Sequence, residues 1–339
     1  MTFDSRLLFL GGHRKGGTSM FLNMFDGHRA LSVYPHDINV LYAYHPRWLG
    51  PDYDDAARRE RLDLVVCDFF KRNLGKEAAK AGFNVEGFCA GFRARIGRAN
   101  VLEMASIIEA LARTFNETAG ARDPAWTVLK ETSCEIFAGE LLTAFPQARF
   151  IHLLRDPRDN YGALKSGVEG HYSRFGEDER MTLSSLLSRA RLGMQLAQLN
   201  AERFGAKRYC VLRFEDLVRE PKPQIERICA FLGIEPEETM TVPTVLGQPT
   251  RGNSYENIDF SQVSARNVGR WRDRITAEEA CIIEFHFREL LDTYGYKREF
   301  SAAAAIDAAS AFYKWENDRF HYRDSFARFR DAPRDAAAG

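Results

Sequence analysis

A short apolar run that ends in a glycine-rich turn is the feature that most constrains how this chain can fold. Residues 6–11, RLLFLG, are followed by residues 12–19, GHRKGGTS, and an apolar stretch with helical character begins at Met20. A buried strand, a glycine-rich turn and a helix in this order are typical of the first unit of an α/β nucleotide-binding fold. Backbone N–H groups freed by glycines, together with a helix N-terminus, predict a site for a phosphate-like anion.

The rest of the chain repeats this alternation and predicts a doubly wound parallel sheet flanked by helices. Further strands are predicted at 126–129, 148–154 and 209–214. Residues 1–300 are predicted to form a single α/β domain with a helical insertion at 76–123, and residues 301–339 a C-terminal helical extension with a frayed end. Residues 243–270 are predicted to form a long loop. Helical patterns cover 54–75, 102–115, 135–144, 182–204, 222–232 and 276–292.

Charge and cysteine content narrow the possible classes of protein. The 339 residues include 47 Lys and Arg against 47 Asp and Glu, so no global basic field indicates nucleic-acid binding. The six cysteines form no C-x-x-C pair and indicate buried free thiols in a reducing compartment. No apolar run approaches the ~18 residues of a membrane span. We therefore expect a cytoplasmic protein without a membrane span; the oligomeric state cannot be read from the sequence.

The turn carries charge and hydroxyl groups suited to an anion. Arg14 and Lys15 lie inside it, and Thr18 and Ser19 close it. Its glycine spacing matches the G-x-x-x-x-G of the nucleotide-binding P-loop, but Thr18 occupies the position of the P-loop lysine. The turn is therefore P-loop-like, and the displaced lysine weakens a kinase or ATPase interpretation. A tight turn that uses glycine for conformation alone is the structural alternative.

A second anion-binding candidate follows the predicted strand 148–154. Arg155 comes directly after this strand and opens the sequence R-D-P-R-D. Ligands of open α/β sheets bind beyond the carboxyl ends of the strands, which is where Arg155 is expected to lie. A guanidinium group there suits bidentate binding of a phosphate.

Four segments, in order, resemble sulfotransferases that use 3′-phosphoadenosine 5′-phosphosulfate (PAPS). R-K-G-G-T-S at 14–19 resembles the family's 5′-phosphosulfate loop, and F-I-H-L-L-R-D-P-R-D at 150–159 resembles its 3′-phosphate segment. L-R-F-E-D-L-V-R-E-P at 212–221 resembles the family's Y-E-D-L-x-x-x-P segment, and N-V-G-R-W-R at 267–272 resembles its G-x-W segment. The resemblance is to bacterial and tyrosylprotein-type members, and it covers nearly the whole predicted core.

The resemblance implies which residues bind the cofactor. The family usually places a serine eight residues after the 3′-phosphate arginine, where this chain has Ala163, so Ser166 or Lys165 is the candidate substitute. Phe214 replaces the more usual tyrosine and is expected to pack near adenine. The implied cofactor-binding residues are Arg14, Lys15, Gly16, Gly17, Thr18, Ser19, Arg155, Ser166, Phe214, Arg270 and Trp271.

The same resemblance implies in-line transfer of a sulfuryl group to an acceptor hydroxyl or amine, without a metal. Lys15 and Lys130 are the cations expected to stabilise the departing bisphosphate. His36 is the first candidate for the base that deprotonates the acceptor, and Asp37 is the alternative. The acceptor is a small molecule, a carbohydrate or another hydroxyl-bearing compound, and residues 34–50 and 76–120 are expected to line its pocket. A metal-dependent P-loop kinase and a catalytically silent nucleotide-binding protein of the same fold are the alternative functions.

Overall fold

A parallel sheet of five strands forms the centre of the first part of the chain. A computed structural model describes residues 6–44, 54–98, 102–250, 252, 255 and 262–314. All neighbouring strands of the sheet run parallel, which confirms the predicted α/β fold class. The strands are β1 (Leu7–Gly11), β2 (Leu31–Asp37), β3 (Trp126–Lys130), β4 (Arg149–Leu154) and β5 (Tyr209–Arg213), in the order β2–β3–β1–β4–β5.

Burial explains which strands the sequence reveals. Strands β1 and β3 are buried along their whole length, as expected for inner strands of a parallel sheet covered by helices. Strand β2 was not predicted, because Pro35 interrupts its pattern. It lies at the edge of the sheet, where a residue without a backbone N–H is tolerated. Strand β5 ends at Arg213, and Phe214 begins a helix instead of closing the strand as predicted.

Helices account for most of the remaining described residues. The predicted helix at 54–75 extends to Lys80 through a π-helical turn at Leu64–Asp68, and a second π-helical turn covers Leu186–Ala190. The helices are α1 (Thr18–Phe25), α2 (Val40–Tyr44), α3 (Asp55–Asp63), α4 (Phe69–Lys80), α5 (Val85–Gly97), α6 (Met104–Thr118), α7 (Ala138–Ala144), α8 (Pro157–Lys165), α9 (Glu179–Ser185), α10 (Arg191–Phe204), α11 (Phe214–Arg219), α12 (Pro221–Leu232), α13 (Trp271–Arg274), α14 (Ala277–Thr293) and α15 (Ala302–Phe312).

The helical insertion contains one helix that was not foreseen. The sequence pattern indicated a single helix near 102–115, which is α6, whereas α5 precedes it as a separate helix. Helix α5 buries Phe88, Phe92 and Ile96, which are spaced four residues apart along one face. Three glycines within α5 obscure this spacing in the sequence, because glycine disfavours helix interiors.

The chain divides into two compact units. The first comprises Met1–Arg155 and Leu196–Ala265, and it holds the sheet and the helical insertion. The second comprises Asp156–Gln195 and Arg266–Gly339. Within the second unit the buried Arg158 guanidinium pairs with Asp156 at 2.7 Å and with Glu284 at 2.5 Å. The single domain over 1–300 stays a prediction. Of the predicted extension at 301–339, α15 lies within the described residues and 315–339 lie outside them.

Candidate active site

The glycines of the turn between β1 and α1 are required by their surroundings. Gly12 has a φ of 143°, and a Cβ there would lie 2.5 Å from the carbonyl oxygen of Leu153. Gly17 has a φ of 96°, and a Cβ there would lie 2.4 Å from the ring of Phe214. Only glycine fits such backbone angles and such close contacts without strain. The turn is therefore shaped by tertiary packing against β4 and α11.

The N-terminus of α1 is suited to an anion. Gly17 precedes the helix, so no side chain caps it, and no acidic residue lies in its first turn. The first N–H groups of a helix have no intrahelical acceptor and carry a partial positive charge. Thr18 and Ser19 provide hydroxyl groups on this same turn, and Gly16 is buried within the loop. These features make the loop suited to an anion, and its contacts to a phosphosulfate group stay a prediction.

A buried glutamate also holds the loop, and sequence reasoning missed it. Glu135 Oε2 accepts a hydrogen bond from the Gly12 N–H at 3.0 Å. Glu135 lies in a short 3₁₀ turn, Cys134–Phe137, that follows β3. The only sequence signal is an acidic residue shortly after a buried strand, which is common in exposed turns as well.

Arg155 and Phe214 pack against the loop. Arg155 Nη1 donates to the backbone carbonyl oxygen of Lys15 at 2.7 Å, and its guanidinium lies 4.7 Å from the centroid of the Phe214 ring. The structure therefore brings together the strand-end arginine, the aromatic residue and the turn. Lys15 itself has a φ of 60°, and its Nζ lies 3.7 Å from the centroid of the Tyr255 ring. Arg14 is partly buried in the same loop.

A buried ion pair lies beside the first turn of α1. Lys130 Nζ lies 2.7 Å from Asp37 Oδ2 and 3.4 Å from Ser19 Oγ. The Lys130 side chain is 2% exposed, whereas that of Asp37 is 29% exposed. The pair follows from the pairing of β2 with β3, in which Asp37 stands opposite Lys130. A cation fixed at this position suits stabilisation of negative charge that develops on a group held by the loop.

Asp37 is held in its ionised form. Thr132 donates to Asp37 Oδ1 through its backbone N–H at 2.8 Å and through its hydroxyl at 3.0 Å. Burial alone would raise the pKa of Asp37, but the Lys130 ammonium and the Thr132 hydrogen bonds lower it overall. Asp37 thus offers a partly exposed carboxylate next to a buried cation.

His36 lies in an aromatic environment. Its ring centroid lies 4.8 Å from that of Tyr34, 4.9 Å from that of Phe69 and 5.4 Å from that of Phe70. Its Nδ1 contacts the backbone oxygen of Asp37, and its Nε2 is buried without a hydrogen-bond partner. Burial lowers the pKa of His36 to about 4. His36 and Asp37 are therefore adjacent in sequence but face different surroundings.

Glu131 is the second acidic residue of this region that sequence reasoning missed. It follows Lys130 directly, is 3% exposed, and accepts hydrogen bonds from the backbone N–H groups of Asn39 and Thr132. Burial, and next the charge of Asp37, raise the pKa of Glu131 well above its ordinary value. The end of β3 therefore carries a lysine and a buried acid in succession.

Three predicted cofactor residues belong to the second unit. The hydroxyl of Ser166 donates to the carbonyl oxygen of Ala163 at 3.0 Å, at the C-terminal end of α8. The alternative substitute, Lys165, is paired with Glu279 at 2.9 Å and with Glu179 at 3.2 Å. Within this unit the hydroxyl of Ser166 thus bonds to its own helix end, and Lys165 is neutralised by two carboxylates.

Arg270 and Trp271 stand at the start of α13. The backbone N–H of Trp271 donates to Asp159 Oδ1 at 2.8 Å, and the buried Trp271 ring lies 4.7 Å from the guanidinium of Arg158 and 4.5 Å from that of Arg272. Arg270 precedes Trp271 and is partly buried. The roles of Ser166, Arg270 and Trp271 toward a cofactor stay predictions.

No group of three or more His, Cys, Asp or Glu side chains in the part of the chain that the structure describes is arranged to hold a metal ion. None of the helices in the described ranges is both long and apolar enough to cross a membrane.

Comparisons with known proteins identify the family of this chain. Residues 8–238 match the model of the sulfotransferase family. The chain is 26% identical over 195 residues to an omega-hydroxy-beta-dihydromenaquinone-9 sulfotransferase of Mycobacterium tuberculosis, covering 54% of this chain and 44% of that protein. It is 27% identical over 309 residues to human carbohydrate sulfotransferase 5, covering 84% of this chain and 69% of the relative.

A solved structure shares the fold. The sulfotransferase domain of the Synechococcus PCC 7002 olefin synthase superposes with a TM-score of 0.57 at 18% sequence identity, over 88% of this chain and 99% of that domain. The chain spans less than half the length of the mycobacterial relative, so similarity to that protein covers only part of it. The family match, in contrast, extends over more than half of this chain and includes the loop, Asp37, Lys130, Arg155 and Phe214. The chain therefore belongs to the sulfotransferase family.

Proposed function

We propose that this protein transfers the sulfuryl group of PAPS to the hydroxyl of an acceptor and releases 3′-phosphoadenosine 5′-phosphate. The observation that carries the proposal is the buried Lys130 ammonium, which lies between the Asp37 carboxylate and the Ser19 hydroxyl at the start of α1. One cation there contacts both a carboxylate that can accept a proton and the loop suited to the phosphosulfate. Membership of the sulfotransferase family supports this assignment.

The loop is proposed to bind the 5′-phosphosulfate. The N–H groups at the start of α1 and the hydroxyls of Thr18 and Ser19 hold the anion, and Lys15 and Lys130 neutralise it. In the in-line step, the acceptor oxygen forms a bond to sulfur while the bond from sulfur to the bridging oxygen breaks. Negative charge then develops on the bridging oxygen, and positioned cations stabilise it more than they stabilise the ground state.

Asp37 is the proposed base, in preference to His36. Its carboxylate is partly exposed and faces Lys130, so an acceptor hydroxyl can reach it next to the transferred group. The Nε2 atom of His36 is buried among aromatic rings, where an acceptor reaches it only if a ring moves. In this assignment, Asp37 takes the proton from the acceptor oxygen as the new bond to sulfur forms.

Arg155 is proposed to serve the nucleotide end of the cofactor. It is nearly buried, stands at the end of β4 and donates to the loop backbone at Lys15. A guanidinium group carries five N–H donors in a planar fork, a geometry that suits bidentate binding of a phosphate. Phe214 supports this placement, since its ring packs on the guanidinium of Arg155.

The acceptor is proposed to be a hydroxyl-bearing small molecule or a carbohydrate. The names of the two relatives above refer to an omega-hydroxylated menaquinone and to carbohydrates. Part of the predicted acceptor pocket, 45–50, lies outside the described residues. Within the described part of 76–120, Arg95 pairs with Glu117 at 2.6 Å, and its neighbour Arg93 pairs with Asp63 at 2.7 Å. These ion pairs explain both arginines without an anionic acceptor.

A transfer assay with labelled PAPS tests the function. The protein is incubated with PAPS labelled in the sulfuryl group and with panels of phenols, aliphatic alcohols and carbohydrates, and labelled acceptor and released bisphosphate are both measured. Lys130→Met is expected to lower turnover by about 10²–10³-fold, as is typical when one stabilising group is removed. Lys80→Met, which changes an exposed lysine at the end of α4, is the matched control and is expected to leave turnover unchanged.

Two outcomes would contradict the proposal. Binding of the bisphosphate without transfer to any acceptor would indicate a catalytically silent nucleotide-binding protein. Magnesium-dependent transfer of phosphate from ATP would indicate a P-loop kinase.

A further inference from the structure

The carboxyl groups of the proposed base, Asp37, and of Glu131 accept a hydrogen bond from the same backbone N–H. The N–H of Thr132 donates to Asp37 Oδ1 at 2.8 Å and to Glu131 Oε1 at 3.1 Å. One hydrogen atom can serve two acceptors only when both oxygens lie on the same side of the donor, so the two carboxyl groups are close neighbours. The other oxygen of Glu131 accepts the N–H of Asn39, which follows β2 with a φ of 58°.

The charges around this pair do not balance if both acids are ionised. Lys130 is the cation that the structure pairs with them, within the described residues, and it contacts Asp37. Two ionised carboxylates at such a distance repel each other strongly in a buried site, and one of them normally keeps its proton.

The other titratable groups that interact electrostatically with the pair add no positive charge. These are Tyr34 and His36 of β2 and Cys134 in the turn after β3. Burial raises the pKa of Tyr34 and of Cys134 well above neutrality, and it lowers the pKa of His36 to about 4. All three are therefore neutral near pH 7, and in the described part of the chain Lys130 is the cation paired with these acids.

The hydrogen bonds decide which acid is ionised. Asp37 receives the Lys130 ammonium and both donors of Thr132, and these contacts favour its charged form. Glu131 is almost fully buried and receives only backbone N–H groups.

We propose that Glu131 is a positioning residue that stays a neutral carboxylic acid and donates a hydrogen bond through its O–H to the Asp37 carboxylate. The inference rests on the proposed function, in which Asp37 is the base. The neutral acid orients Asp37 between Lys130 and the acceptor. It also keeps a second negative charge away from a site that must admit the anionic phosphosulfate. The protons balance, because Glu131 keeps its own proton while Asp37 gains the one released by the acceptor.

Substitutions at Glu131 test the role in turnover. Glu131→Ala removes the donor to Asp37 and leaves the Asn39 N–H without its acceptor, so kcat is expected to fall by about 10-fold or more. Glu131→Gln keeps both the shape and a neutral donor, and it is expected to restore most of the lost turnover. Glu140→Gln, at an exposed position on α7, is the matched control. A Glu131→Gln protein as slow as Asp37→Asn would overturn the proposal, because Glu131 would then need its charge.

A measurement without substrate tests the protonation state. Wild type and Glu131→Gln are unfolded in denaturant at several pH values, and their midpoints are compared. If folding raises the pKa of a glutamate, the folded state holds a proton that the unfolded state has lost. The free energy of unfolding of the protein therefore falls as pH rises above the pKa of glutamate in the unfolded state, about 4.3. The denaturant midpoint of Glu131→Gln, relative to that of the wild type, is therefore expected to increase with rising pH. If the difference between the two midpoints stayed constant, or if the Glu131→Gln midpoint fell relative to the wild type with rising pH, Glu131 would be ionised and the proposal would be overturned.

The two measurements separate this inference from the proposed function. If the wild type transfers no sulfuryl group, the proposed function fails, and the positioning role of Glu131 fails with it. The unfolding comparison still reports whether Glu131 holds a proton. If the wild type is active and Glu131→Gln does not restore turnover, the positioning role alone is wrong.

Discussion

The ring of Phe214 lies directly against the α-carbon of Gly17, where the glycine-rich loop enters α1. A Cβ at Gly17 would come within 2.4 Å of Phe214 Cδ2. The same ring also contacts the guanidinium of Arg155, 4.7 Å from its centroid. The shape of the loop therefore depends on two residues that follow other strands, one at the end of β4 and one at the start of α11.

Gly17→Ala is expected to destabilise the protein and weaken bisphosphate binding. An alanine with a positive φ costs about 1–2 kcal/mol, and a side chain forced into an occupied space costs about 1–3 kcal/mol more. Gly82→Ala is the matched control, because Gly82 has a φ of 69° but no atom lies within 4 Å of a Cβ built there. Denaturant unfolding and calorimetric titration with the bisphosphate measure both effects. Equal losses of stability in the two variants would show that Phe214 does not restrict Gly17.

The fold could be predicted where buried elements give a recognisable apolar pattern in the sequence. Strands β1, β3 and β4 are inner strands, so their continuous apolar runs identify them, and Gly233 marks the end of α12 with a φ of 68°. Strand β2 gives no such pattern. Its polar end and Pro35 are compatible with a strand because β3 pairs with it on one side only.

The site was predictable in part for the same reason. Lys130 was recognised at the end of an apolar strand, whereas its pairing with Asp37 depends on the register of β2 against β3. Glu131 and Glu135 were missed because an acid after a strand is more often exposed, and only tertiary packing buries these two. The resemblance supplied Asp37 as a candidate, but it did not show that His36 points into an aromatic cluster.

Asp37→Asn is expected to be far more damaging to turnover than His36→Phe. Asparagine keeps the size of Asp37 but cannot accept the proton, so turnover is expected to fall by about 10²–10⁴-fold. Phenylalanine fits the aromatic surroundings of His36 and leaves no buried nitrogen without a partner. Single-turnover kinetics with saturating PAPS compare the two variants. A larger loss in His36→Phe, with normal bisphosphate affinity, would make His36 the base.

The pH dependence of kcat/KM is expected to show no inflection near the ordinary pKa of histidine, about 6.5. Asp37 must be ionised to accept a proton, and its pKa lies below its ordinary value because Lys130 and Thr132 outweigh the effect of burial. Activity therefore stays constant as pH falls through 6 and is lost only below the ordinary pKa of an aspartate, about 3.9. Because burial lowers the pKa of His36 to about 4, His36 would also stay neutral as pH falls through 6, so the profile alone does not distinguish the two candidates. A loss of activity centred near pH 6.5 would contradict the environment found for both residues.

Arg155→Ala is expected to weaken the binding of adenosine 5′-phosphate and of the bisphosphate to different extents. The contact of Arg155 with the Lys15 carbonyl oxygen supports the loop, so affinity for adenosine 5′-phosphate falls as well as affinity for the bisphosphate. The binding free energy of the bisphosphate decreases by a further ~2–5 kcal/mol if the guanidinium also binds the 3′-phosphate in a desolvated contact. Calorimetry with both ligands measures the difference. Equal losses would assign Arg155 to the loop alone and leave the 3′-phosphate without this partner.

Lys15→Ala is expected to reduce kcat more than it reduces affinity for the bisphosphate. The Lys15 ammonium lies over the Tyr255 ring, 3.7 Å from its centroid, in the glycine-rich loop. Charge on the bridging oxygen develops mainly in the transition state, so the loss of one cation is expected to cost about 10²–10³-fold in kcat. Lys15→Arg keeps the charge and is expected to retain a large part of the turnover.

Tyr255 provides an independent check on this assignment. A cation–π contact of this kind stabilises the ammonium by about 0.5–2 kcal/mol, so Tyr255→Phe, which keeps the ring, is expected to behave like the wild type. Tyr255→Leu removes the ring and leaves Lys15 less well positioned, so it is expected to lower kcat by about the fold-change that this energy represents, which is roughly 2–30-fold. Steady-state kinetics of the four variants, with bisphosphate affinities measured in parallel, separate transition-state from ground-state effects. If Lys15→Ala turned over normally, the cation that stabilises the leaving group would be Lys130 alone, and the Tyr255 variants would then leave kcat unchanged as well.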